Sequence, residues 1–148
     1  MSEHRELTYD FFNKGQELPV YTHTVTEEEI DKYCRSTGED NPVYLDDAAA
    51  REAGLEGRVA PPMMVRYYAH MQNVLGEYGL AVPGHSIHAA GEYQFLSAVR
   101  PGDTIKTSGR VIEKYIKKGR KYLSFELVSR NQRGEIAVLN RHTSVWPR

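Results

Sequence analysis

Met64, Tyr67, Tyr68, Met71, Val74, Leu75 and Tyr78 recur at spacings of three and four, leaving Arg66, His70, Asn73 and Glu77 for other faces. That period predicts one amphipathic helix, and its load of aromatic and methionine side chains makes it a core helix. Pro61 or Pro62 fits its first position, where a missing N–H costs nothing, and Gly79 closes it. Whatever else the chain forms must cover this apolar face.

The cover is strand material. His85 to Phe95, Thr104 to Glu113, Lys121 to Arg130 and Glu135 to Trp146 are rich in β-branched and aromatic residues. They are separated by Arg100-Pro101-Gly102-Asp103, Lys118-Gly119 and Asn131-Gln132-Arg133-Gly134. Three short connections predict successive antiparallel neighbours. Upstream, Val20 to Val25 reads as a further strand, and Thr26-Glu27-Glu28-Glu29 has the capping-box pattern that starts a helix running to about Ser36. Gly38 ends that helix, and Gly38-Glu39-Asp40-Asn41-Pro42 reads as a loop because Pro42 restricts Asn41. A short helix follows from Asp46 or Asp47 through Ala53, with Gly54 as its stop. Residues 1–19 form a polar, partly ordered lead-in and 20–148 the packed unit. Helices first and strands afterwards is an α+β pattern, the sheet curling around a single long helix.

Composition narrows the function classes. At 148 residues the chain holds one domain whose core needs no metal or disulfide staple. Its 19 basic and 20 acidic side chains give a net charge of -1, without the basic excess of a nucleic-acid-binding domain. Cys34 is the only cysteine, which excludes a disulfide framework and a cysteine zinc site and suits a reducing cytoplasm. Met1 to Lys14 is too charged for a signal peptide. The longest charge-free stretch, Gly79 to Gly91, is interrupted by Pro83, Gly84, His85 and His88 and falls short of the ~18 residues that span a membrane. The expectation is a cytoplasmic protein with neither nucleic-acid nor membrane partners.

Gly38-Glu39-Asp40-Asn41-Pro42-Val43-Tyr44, followed by Asp46 and an alanine run, resembles the signature loop of the MaoC-like dehydratases and (R)-specific enoyl-CoA hydratases. The likeness continues through Arg58-Val59-Ala60-Pro61-Pro62-Met63, His88 to Tyr93 and Val99-Arg100-Pro101-Gly102-Asp103-Thr104, covering roughly residues 20 to 146. Tyr at the loop's end and Ala-Pro-Pro at the helix start resemble the N-terminal, FAS-type dehydratase branch. The resemblance implies a hotdog fold, assembly as at least a homodimer or a heterodimer with another hotdog subunit, and a tunnel for an acyl thioester. It implies addition or removal of water at the 2,3 position of an enoyl-CoA or 3-hydroxyacyl-CoA. No cofactor is called for: coenzyme A or a carrier protein enters as part of the substrate. The family's catalytic Asp and His map onto Glu39 and Tyr44. Tyr has an ordinary pKa of about 10 against about 6.5 for His, so it does not replace His in proton transfer near neutrality.

The remaining candidates each carry a structural alternative. Glu39 and Asp40 are adjacent carboxylates suited to acid/base work or simply solvated. Asn41 orients water or shapes the turn. His88 supplies a missing imidazole or is an ordinary strand residue, with His85 on the opposite face and no metal-ligand cluster around either. Pro62, Met63 and Met64 form the helix start, where free N–H groups polarise a carbonyl or merely begin a helix. Arg100 and the Lys118 and Arg120 hairpin tip receive phosphates or sit in solvent. The leading reading is a self-sufficient hydratase or dehydratase with Glu39 and either Asp40 or His88 as acid/base elements. The next is an incomplete hotdog subunit that pairs with an active one, favoured by Tyr44, and the third is an acyl-CoA thioesterase.

Overall fold

The capping box at Thr26 forms as the sequence predicts: the Thr26 hydroxyl accepts from the Glu29 N–H, and the Glu29 carboxylate accepts from the Thr26 N–H. Helix α1 then runs Glu27–Thr37 and stops at Gly38, which adopts φ 70° in the left-handed region. A computed structural model describes residues 5–147. Strand β1 (Tyr21–Thr24) precedes α1; α2 (Pro42–Leu45) and α3 (Asp47–Glu52) follow. The sequence reading has Pro42 in a loop, but Asn41 caps the Val43 N–H and Pro42 takes the first position of α2, where proline is tolerated.

The long central helix is interrupted. A 3-10 turn (Pro62–Met64) leads into α4 (Val65–Tyr68), the backbone leaves helical geometry at Ala69 and His70, and α5 (Met71–Gly76) resumes. His70 is extended, at φ -81° and ψ 140°, and its ring accepts from the Gln72 N–H in the manner of an N-cap. The apolar face persists across the break, so periodicity alone reads it as one helix.

Strands β2 (Ile87–Phe95), β3 (Thr104–Lys117), β4 (Arg120–Arg130) and β5 (Ile136–Trp146) join β1 in one antiparallel sheet of order β1-β3-β4-β5-β2. Two of the three short connections make hairpins, the tighter one with Lys118 and Gly119 both at positive φ, as a type I′ turn requires. The first does not. Strand β2 pairs with β5 at the far edge, so the Leu96–Asp103 segment crosses the sheet end rather than turning between neighbours. Register shifts in β2, β3 and β4 mark the irregularities that bend the sheet around the helices.

The core divides in two at the helix break. Val25, Ile30, Met64, Val65, Tyr68 and Ile105 form one cluster; Met71, Val74, Leu75, Val111, Phe125 and Trp146 belong to the other. Leu7, Phe12 and Leu18 are buried in the second cluster. These three side chains make the lead-in part of the domain's core from Leu7 onward rather than a segment outside it; its first four residues lie outside the described residues.

Asp103 fastens the crossing segment. Its carboxylate, 3% exposed, accepts from the Arg100 N–H and from Gln132 Nε2, both at 2.9 Å, while its backbone carbonyl accepts from Val25. Asp103→Ala strands those donors and is expected to cost about 2 kcal/mol, read as a drop of about 6 °C in thermal denaturation.

Candidate active site

Arg58 organises the loop that carries the signature residues. Although 8% exposed, its guanidinium donates to the Tyr44 carbonyl at 3.0 Å and to Asp31 at 2.5 Å, and its N–H donates to Asp47. One residue thus ties α1 and α2 together through its side chain and holds α3 through its backbone N–H. From there Val59 donates to the Val43 carbonyl and Ala60 to that of Val99, drawing α2, the 3-10 turn and the crossing segment around one cleft.

That cleft has a volume of about 340 Å³. Val43 and Tyr44 of α2, Pro62, Tyr68 of α4 and the Phe95–Val99 stretch line it. Its walls are apolar apart from the two phenols and Ser97, whose hydroxyl is committed to the Ile136 carbonyl at 2.6 Å. Burial pushes the Tyr44 phenol up, helped by the charge of Glu39. Tyr44 is therefore a neutral donor near pH 7, not a base.

The sequence-predicted residues scatter around this cleft. Glu39 is half-buried, near enough for its charge to act on Tyr44, and accepts weakly from the Asn41 N–H at 3.4 Å. Asp40 and Asn41 are exposed, and Asn41 performs the turn role by capping α2. Pro62 lines the cleft, and Met63 is exposed. Met64 is buried in the core and its N–H donates to Pro61, so it is not free to polarise a carbonyl. Arg100 is paired with Glu56. Lys118 and Arg120 sit exposed at the β3–β4 tip, at the opposite end of a 14-residue strand from the crossing segment, on the order of 40 Å along its length. One chain does not bring them to the cleft. Tyr67 also departs from its expected core position: it is half exposed and packs edge-on against Tyr33.

His88 lies elsewhere. A register shift between His88 and Ala90 sets exposed His88 opposite Ser144, a residue of the buried face of β5, and Gly91 leaves room for its ring. A Cβ at Gly91 would come within 3.0 Å of that ring. His88 packs edge-on against His142 with centroids 4.3 Å apart, and His70 stands on His142 at 6.0 Å. Sequence reasoning missed this trio because it needs the β2–β5 register and the helix break together. It missed the Arg58 clamp and the Phe95–Val99 wall for similar reasons, although Arg58 stands in the motif that carried the resemblance.

Burial, with His88, His70 and Arg66 nearby, holds His142 down at about 4. As pH falls from 6.5 the unfolded chain takes up this proton before the folded one, so stability is lost progressively between pH 6.5 and about 4. The expected loss is on the order of 3 kcal/mol. Denaturant titrations at stepped pH should show a shallower decline in His142→Asn.

A family model described as the FAS1-like dehydratase domain region matches residues 13–140. The chain belongs to the MaoC-like hotdog dehydratases. A probable enoyl-CoA hydratase alpha subunit from Thermomonospora curvata is 33% identical over 132 residues, 76% of this chain and 41% of that protein. The 3-oxo-4,17-pregnadiene-20-carboxyl-CoA hydratase alpha subunit of Mycobacterium tuberculosis is 48% identical over 42 residues, 28% of this chain and 14% of that one. This dehydratase-family chain thus spans less than half the length of those relatives. Among solved structures, a monoamine oxidase regulatory protein from Archaeoglobus matches with a TM-score of 0.83 at 23% identity, covering 99% of this chain and 97% of that one. The unliganded R-hydratase of Pseudomonas aeruginosa matches at 0.76 and 24%, covering 96% and 86%. The ChsH1–ChsH2 complex of Mycobacterium tuberculosis matches at 0.71 and 20%, covering 87% and 86%. These likenesses show the hotdog fold. Among the described residues no helix is long and apolar enough to cross a membrane.

Proposed function

We propose that this chain is one hotdog half of a hydro-lyase acting at the 2,3 position of an enoyl or 3-hydroxyacyl thioester, and that a partner hotdog subunit supplies the acid/base pair. The observation that carries this reading is the cleft's lining, which among the described residues holds phenols and a committed serine but no imidazole or carboxylate. Hydration forms a bond from water oxygen to C3 while a base takes the water proton and an acid delivers one to C2. Neutral Tyr44 does neither; it serves as a hydrogen-bond donor to the thioester carbonyl, where charge develops. This is proton chemistry and calls for no resident cofactor.

Two further observations support a partner. Among the described residues the outer edge of β2 is unpaired, with Ile87, Phe95 and Leu96 exposed along or just beyond it. The relatives in Thermomonospora and Mycobacterium are named as alpha subunits. A self-sufficient enzyme is the second reading, favoured by the charge of Glu39 close to Tyr44.

The two separate in an absorbance assay of the conjugated thioester with short, long and ring-bearing enoyl-CoAs. The purified chain alone is expected to be inert. Mixed with a hotdog subunit bearing the Asp and His signature it should turn over, and Tyr44→Phe should lower that rate about 100-fold. Turnover by the chain alone, abolished in Glu39→Gln or His88→Ala, would establish the self-sufficient enzyme instead.

A further inference from the structure

The break in the central helix gathers four basic groups away from the cleft. Arg66 of α4, His70 at the break, His142 of β5 and His88 of β2 converge. The charges that bear on His70 are those of Arg66 and His88, and on His142 those of His88, His70 and Arg66; no carboxylate is among them.

His70 adds a donor to this group rather than an acceptor. Its Nδ1 accepts from the Gln72 backbone N–H at 3.2 Å, so in the neutral ring the proton resides on Nε2. Yet Nε2 faces a guanidinium nitrogen of Arg66 at 3.5 Å. An arginine has donors only, so with Nδ1 accepting, Nε2–H and the Arg66 guanidinium are two donors set against each other, with no acceptor for either among the described residues. His70 is 8% exposed and cannot turn to water, and burial together with the Arg66 charge disfavours its protonation. Beside it His142, 3% exposed, has a buried Nδ1 with no hydrogen-bond partner among the described residues.

We propose that Arg66 and His70, with exposed His88 at the mouth, bind an oxyanion, a carboxylate or a phosphate, whose oxygen accepts from both the Arg66 guanidinium and Nε2–H of His70. Planar guanidinium beside a fixed N–H donor is the geometry that such oxygens take. An anion there compensates the one permanent charge of the group and favours protonation of the imidazoles around it. The site is separate from the apolar cleft and does not rest on the half-site reading.

The test uses the full chain labelled with ¹⁵N-histidine and long-range ¹H–¹⁵N correlation at pH 7, the His70 signals being assigned by their loss in His70→Gln. His70 is expected as the Nε2–H tautomer, and titration with inorganic phosphate, acetate or coenzyme A should shift its signals saturably and raise its protonation midpoint. Arg66→Gln, an exposed substitution whose folding is checked by the amide spectrum, should weaken that binding at least tenfold. Coenzyme A binding ten times tighter than phosphate identifies a thioester's carrier as the source; acetate binding tightest identifies a carboxylate; equal weak binding of all three identifies a free oxyanion. An Nδ1–H tautomer at His70, no saturable shift with any probe, or shifts unchanged in Arg66→Gln would each overturn the proposal.

Discussion

Replacing Phe12 with alanine is expected to destabilise the protein by about 3–5 kcal/mol, enough to lower its melting temperature by about 10 °C or to prevent folding outright. Phe12 is fully buried, and its ring meets those of Phe11, Tyr78, Phe125 and Trp146 edge-on. The segment that delivers it is held by the backbone as well: Gly15 donates to the Val111 carbonyl and Leu18 to that of Gly109. Truncating the ring removes aromatic edge contacts and opens a cavity between α5 and the sheet, which the fixed backbone cannot collapse. Thermal denaturation of Phe12→Ala beside Phe12→Leu reads the effect, with leucine recovering most of it. A loss below about 1 kcal/mol would mean that the N-terminal segment is a dispensable lead-in after all.

Gly109→Ala is expected to cost about 4 kcal/mol, at the upper end of what overpacking does. Gly109 lies opposite Leu127 in the β3–β4 ladder. A Cβ there would collide with the Glu126 carbonyl oxygen and stand 2.6 Å from Leu127 Cδ2. The first obstacle is backbone within a paired strand, so relief requires the strands to part at the place where Leu18 also docks. Alanine at Gly84 or Gly76 meets nothing within 4 Å and serves as the control. A Gly109→Ala melting temperature within about 2 °C of wild type would show that the sheet yields there.

What could be read from the sequence was local. Thr26 and Glu29 fixed the start of α1, Gly38 its end, and Lys118-Gly119 a tight hairpin, because each rests on contacts spanning four residues or fewer. The partnering of β2 with β5 was illegible: strand composition says that a segment pairs, while the order in a sheet depends on where a long crossing segment leads. The interruption at Ala69 and His70 was hidden because a 3.6-residue period records which face is buried, not whether the backbone is continuous. Leu7, Phe12 and Leu18 stand five and six residues apart in a largely polar stretch, a spacing that fits neither the helical nor the strand period.

The candidate site divides along the same line. The signature loop drew attention to Glu39 and Tyr44, and the proline pair to Pro62, all of which stand at or beside the cleft. The Phe95–Val99 wall depends on the crossing segment, and the meeting of His88 with His142 on a bulge and a glycine in register with a strand 50 residues away. Lys118 and Arg120 looked attractive as phosphate ligands only because linear charge density says nothing about which end of a sheet a turn occupies.

The interruption at Ala69 and His70 also divides labour within the fold. Tyr68, which walls the cleft, belongs to a four-residue helix packed on one core, whereas Val74 and Leu75 anchor a separate helix to the other. A continuous rod would transmit any tilt at its head along its whole length. Two short segments joined by an extended residue let the cleft-bearing head re-seat while the tail stays clamped, so cleft shape can diversify between homologues without each change having to be tolerated by the whole interior.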